Sequence, residues 1–146
     1  MLLPHFTESD DLPLGVHGAT LSEVLKRFGD ISPKRKILAR RLERIYRLAS
    51  TTGKIARFIV FGSFITSKLE PNDVDVFILM DDSFNISQLS GEPRLLFDHA
   101  TAQDYFGCSV FWMRRIAALN GEQTTIGHWQ TKRDGSKRGI IEIISE

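Results

Sequence analysis

Phe61-Gly62-Ser63-Phe64-Ile65-Thr66-Ser67-Lys68-Leu69-Glu70-Pro71-Asn72-Asp73-Val74-Asp75-Val76 connects two β-rich runs, Ile55 to Phe61 and Val74 to Met80. Both runs are short, apolar and rich in β-branched or aromatic residues, and the polar stretch between them holds proline and asparagine. That pattern predicts two central strands joined by a loop. Nine residues separate Ser63 from Asp73, enough for the chain to leave one strand and return beside it. If Asp73 and Asp75 open the second strand, the two-residue side-chain period sets both carboxylates on one face. Val74 and Val76 then turn to the opposite, packed face.

Helices are predicted upstream of this pair. Thr20-Leu21-Ser22-Glu23 has capping-box spacing and opens a short helix ended by Gly29. Ser32-Pro33 supplies an N-cap and a proline at the first helical position for a longer helix closing at Gly53. At roughly 100° per residue, Leu38, Leu42, Ile45, Tyr46 and Ala49 share one arc, while Lys36, Arg40, Arg41, Arg44 and Arg47 gather opposite. Residues 1–19 contain Pro4, Pro13, Gly15 and Gly18 and are expected to form an extended arm. Downstream, Arg94 to Tyr105 is expected to be helical and Gly107 to Met113 a third strand. Arg133-Asp134-Gly135 signals a turn before a last strand, Gly139 to Ile144. Residues 82–93 are too mixed to assign, and residues 124–132 suit helix or strand equally. The expected class is α/β (α+β), a small mixed β-sheet flanked by helices in a single domain spanning residues 1–146.

Composition narrows the setting. A chain of 146 residues with 42% hydrophobic and 25% charged side chains has the make-up of one ordinary globular core. Its apolar runs fall far short of the roughly 20 residues of a membrane span, so no membrane association is expected. Cys108 is the single cysteine, which excludes an intrachain disulfide and disfavours a thiolate zinc site. With no export signal in Met1-Leu2-Leu3-Pro4-His5, a reducing cytoplasm is the expected location. His5, His17, His99 and His128 show no shared metal-ligand spacing, and Trp112 and Trp129 read as core anchors. The net charge of +1 conceals an asymmetry: residues 21–60 carry eleven basic side chains against three acidic, and residues 61–106 two against eight. A basic helix beside an acidic strand pair suits an anionic ligand bridged by metal, although two solvated faces of opposite sign explain the same counts.

The chemistry concentrates in the quoted stretch. Adjacent carboxylates repel each other and favour a hard divalent cation, Mg2+ or Mn2+, which keeps waters and accepts phosphate oxygens from a substrate. Asp73 and Asp75 are therefore the candidate metal ligands and catalytic residues. Gly62 lets backbone amides approach phosphates, Ser63 adds a hydroxyl, and Lys68 is a candidate phosphate contact. A helix begun at Ser63 would strengthen that cradle. Neither Gly-x4-Gly-Lys-Ser/Thr nor Gly-x-Gly-x-x-Gly occurs, so the usual Walker and dinucleotide cradles are excluded.

The order apolar-Gly-Ser, nine residues, Asp-apolar-Asp-apolar resembles the signature of the polymerase-β-like nucleotidyltransferase superfamily, especially its minimal bacterial members. Leu12-Pro13-Leu14-Gly15-Val16-His17-Gly18-Ala19-Thr20 and Arg133-Asp134-Gly135-Ser136-Lys137-Arg138-Gly139-Ile140 extend the likeness, to short bacterial nucleotidyltransferase-like proteins, over nearly the whole chain. The resemblance implies a nucleotidyltransferase fold and metal-dependent binding of a nucleoside triphosphate such as ATP. It also implies transfer of a nucleotidyl group to a protein, RNA or small-molecule acceptor. It further implies a third acidic residue from a later strand, where this sequence has Ser109; Asp98 and Asp104 are the nearby acids that could substitute. Three function classes stay open. One is an active transferase. Another is a catalytically impaired, partner-binding protein of the antitoxin type, its partner encoded nearby. The third is a nucleic-acid-binding module using Lys36, Arg40, Arg41, Arg44 and Arg47 of the basic helix at residues 33–52.

Overall fold

The computed structural model describes residues 3–145. The chain runs β1 (Val16–Thr20), α1 (Leu21–Gly29), α2 (Pro33–Ser50), β2 (Ile55–Phe61), β3 (Val74–Met80), α3 (Glu92–Leu95), α4 (His99–Phe106), β4 (Cys108–Arg114), α5 (Glu122–His128) and β5 (Ile140–Ile144), with 3-10 turns at Ser63–Ile65, Ile86–Gln88 and Arg115–Ala117. The strands form one mixed sheet in the order β1-β5-β2-β3-β4. β2 is antiparallel to β3 and β5, whereas β1–β5 and β3–β4 are parallel. This is the expected small mixed sheet flanked by helices. Among the described residues no helix is long and apolar enough to cross a membrane.

Local chemistry accounts for the helix starts. Thr20 Oγ1 accepts from the Glu23 amide at 3.2 Å while Glu23 Oε1 accepts from the Thr20 amide at 2.9 Å, a complete capping box. Ser32 Oγ accepts from the Arg35 amide at 3.1 Å, with Pro33 first in α2. Leu38, Leu42, Ile45 and Ala49 of α2 are fully buried against Phe58 and Val60 of β2 and the Val74, Val76, Ile78 and Met80 face of β3. A smaller cluster on the opposite face joins Ile59, Phe77, Leu79 and Ile140 to Ile126 of α5, with Phe61 and Trp129 packed against it. β3 is thus covered on both sides from Val76 onward, which is why its sequence is an unbroken apolar run.

Two expectations need correction. Residues 1–19 are not arm throughout, because Val16 to Thr20 forms edge strand β1, paired residue for residue with Ile140 to Ile144. The five residues include Gly18 and Ala19, too small to give a hydrophobic alternation, so only the distant partner strand specifies them. Met1 and Leu2 lie outside the described residues. The helix expected from Arg94 to Tyr105 is two helices. Asp98 leaves helical geometry, accepts from the Thr101 amide at 2.9 Å and caps α4 afresh, while Leu96 and Phe97 turn into the core. The unassigned segment at residues 124–132 is α5 followed by a turn.

Candidate metal and phosphate site

β2 and β3 bring the predicted residues together. Phe61 lies opposite Asp75, and Asp75 lies opposite Ser109 on β4, so one row crosses three strands at the end where β2 stops. Gly62 takes the next step with φ 87° and ψ −167°, backbone geometry that is essentially restricted to glycine. A Cβ at Gly62 would overlap Asp75 Oδ2, so the carboxylate rests directly on the glycine backbone. Two requirements, the dihedral angles and the close approach, fix the same residue.

Asp73 precedes β3 and points to the same side. Its Oδ1 accepts from the Val74 amide at 2.8 Å, and its Oδ2 accepts from Ser109 Oγ at 3.0 Å and Gln103 Nε2 at 3.4 Å. Ser109's single hydroxyl proton is shared between that carboxylate and Gln103 Oε1 at 2.8 Å. Burial, followed by the neighbouring Asp73 charge, raises Asp75 from the usual carboxylate range to about 6; the Ser109 hydroxyl, Arg138 and Arg133 act in the opposite direction. Asp75 is held in a place where its negative charge is poorly solvated.

The loop between Gly62 and Asp73 is shaped by Arg35, a residue with no site role expected from its position on α2. It is 0% exposed, and among the described residues no carboxylate pairs with it. Instead its guanidinium donates to the carbonyls of Phe28 (3.2 Å), Phe64 (2.6 Å) and Thr66 (2.6 Å), and through both Nε and Nη2 to that of Lys68. The Phe28 carbonyl closes the end of α1, and those of Phe64, Thr66 and Lys68 belong to the loop, so one arginine ties the loop to the helix end. Ser32 Oγ adds a bond to the Leu69 carbonyl at 3.2 Å.

The remaining expectations divide. Ser63 is half-buried and follows Gly62, but Ser63–Ile65 is a single 3-10 turn and not the helix that would have added a dipole. Lys68 is exposed, and what the fold holds is its backbone. Ser109 stands in register with Asp75, where the resemblance called for an acid. Asp98 is committed to capping α4, Asp104 is exposed, and among the described residues no group of three His, Cys, Asp or Glu could hold a metal. Neither acid completes the pair. On α2, Arg41 Nη1 reaches the Gly107 carbonyl at 3.4 Å, Arg44 pairs with Glu92, and Arg47 pairs with Glu43 at 2.8 Å. The basic face is therefore largely occupied by its own protein, with Lys36 and Arg40 exposed beside it. Cys108 is buried, which pushes its thiol up to about 12 and leaves it inert.

The donor set fits one hard divalent cation. Asp73 and Asp75 offer neighbouring carboxylates at the end of β2, with Asp75 seated against Gly62. It does not supply a full carboxylate set for a second ion, because Ser109 and Gln103 are neutral.

The two flanking segments that extend the resemblance without naming any chemistry, residues 12–20 and 133–140, meet each other at this end of the sheet. The Gly139 amide donates to the Leu12 carbonyl at 2.9 Å, and a Cβ at Gly139 would overlap the Pro13 carbonyl. Segments from both ends and the middle of the chain thus form one structural unit, and residues 4–144 match a single sequence family as a whole. The chain belongs to that family, a family of unknown function (DUF6932). No curated protein and no solved structure matches the chain.

Proposed function

We propose that this protein is a nucleotidyltransferase-like protein that binds a nucleoside triphosphate together with one Mg2+ or Mn2+ ion, and in which binding is retained better than transfer. The observation that carries this reading is the seating of the Asp75 carboxylate on the Gly62 backbone with Asp73 beside it. The crowded pair has the charge for a divalent ion that would also accept phosphate oxygens. The bound ion would withdraw charge from the phosphates. Transfer would join an acceptor oxygen to the α-phosphorus, break the bond from that phosphorus to the oxygen bridging to the β-phosphate, release pyrophosphate and pass the acceptor's proton to water. Nothing in the Ser109–Gln103 pair carries the negative charge that would help the attacking oxygen lose that proton.

The same pair favours the impaired, partner-binding reading over robust catalysis. The nucleic-acid reading is weakened by the ion pairs of Arg44 and Arg47. The test is a transfer assay with labelled nucleoside triphosphates and Mg2+ or Mn2+, with and without the product of the neighbouring gene, on wild type and Ser109→Asp. Weak or absent wild-type transfer that Ser109→Asp increases supports the proposal. Robust wild-type turnover that the substitution leaves unchanged or lowers would show the site is complete without a third acid.

A further inference from the structure

A metal-bound triphosphate remains an anion, and the residues so far assigned to the site give it two carboxylates and one loop lysine. Positive charge has to come from elsewhere if the triphosphate is to bind. The C-terminal hairpin supplies it. Thr131 bridges Lys137, the Lys132 amide donates to the Ser136 carbonyl at 2.7 Å, and the Arg138 amide donates to the Gln130 carbonyl at 2.8 Å. Within this hairpin stand Lys132, Arg133, Lys137 and Arg138 against Asp134 alone.

The topology places the hairpin at the site. β5 runs antiparallel to β2, with Val60 opposite Ile141, so the chain enters β5 through Arg138 and Gly139 at the sheet end where β2 leaves through Gly62 and Ser63. Asp11, only 5% exposed, anchors it there: Lys132 Nζ lies 2.6 Å from Asp11 Oδ2 and Arg138 Nη1 lies 3.5 Å from Asp11 Oδ1. One carboxylate thus serves two cations, and the second contact is long. Arg133 is exposed. The hairpin is held rigidly by its backbone while its positive charge is left in excess.

We infer that the hairpin of residues 131–138 is the phosphate clamp of the site, with Arg138 and Arg133 meeting the triphosphate oxygens that a metal on Asp73 and Asp75 leaves unneutralised. The inference rests on the nucleotide-binding reading above and deepens it. Arginine suits the task because its planar fork can hold two phosphate oxygens at once.

Calorimetric titration of the full chain with ATP and with inorganic tripolyphosphate, each with Mg2+, and with AMP, at two salt concentrations, tests it. Arg138→Ala and Arg133→Ala should each weaken both triphosphate ligands about tenfold, flatten their salt dependence and leave AMP binding unchanged. Arg138→Lys, which keeps a cation on Asp11 but loses the planar fork, should melt like wild type and recover only part of the affinity, and Arg133→Ala should melt like wild type because its side chain is exposed. If ATP binds wild type and is lost in Asp75→Asn, yet both alanine variants bind it normally, the clamp is wrong and the metal site stands. If wild type binds neither triphosphate, both fall.

Discussion

The two faces of β3 are made by alternate residues of one strand and obey different rules. Val74, Val76, Ile78 and Met80 are fully buried against the long helix and its neighbours, and nothing on that face conflicts with anything else. The other face opens with Asp73 and Asp75 before reaching Phe77 and Leu79. There a carboxylate sits on a glycine in geometry other residues avoid, and burial, then the neighbouring Asp73 charge, holds its pKa up. One face is arranged for stability alone. The other keeps local repulsion and backbone strain that stability does not require, the usual mark of a binding site.

Substitutions should separate the faces by sign as well as size. Ile78→Ala on the aliphatic face should lower unfolding free energy by about 2–5 kcal/mol, because it leaves a cavity in a packed core. A loss below about 1 kcal/mol in denaturant titration would mean this face is looser than its complete burial indicates.

Gly62→Ala comes next, at about 1–3 kcal/mol from the backbone angles alone, and it should also abolish ligand-induced stabilisation. Combining it with Asp75→Ala should recover part of the loss by removing the overlapping carboxylate. A double variant no more stable than Gly62→Ala would show that the cost lies in the backbone and not in the contact.

Asp75→Asn should go the other way and stabilise the free protein. Because the folded pKa is raised to about 6, ionisation is less favourable in the folded chain than in the unfolded one, and wild-type stability falls as pH rises from about 4 through about 6. The variant's advantage should be at most about 3 kcal/mol at pH 7 and should vanish toward pH 4. Melting curves across that range check it, and a variant less stable than wild type at pH 7 would show that Asp75 is structural.

What could be read from sequence follows the same division. Ile55–Phe61 and Val74–Met80 were identifiable because apolar runs and the loop between them are local signals, and the capping motifs of the first two helices are local too. β1 was not, since its five residues gain strand character only from β5, more than a hundred residues away. Within the site, Asp73, Asp75 and Gly62 stood out by spacing. Arg35 could not, because on a helix rich in basic residues nothing distinguishes the one whose direction leads it into the Phe64–Lys68 loop. Gln103 was equally hidden: its reach to Asp73 and Ser109 depends on α4 lying along β4. The Arg133–Arg138 segment was visible as part of a motif, but Asp11 and its pairing with Lys132 and Arg138 across the chain ends were not.

The most direct test of the central claim is electron paramagnetic resonance of Mn2+ titrated into wild type and Asp75→Asn, each with and without ATP. The account predicts a single tightly held manganese per wild-type chain that requires ATP, and its loss in Asp75→Asn despite that variant's greater stability. Manganese that stays free in wild type with ATP, or that binds Asp75→Asn equally well, would contradict it.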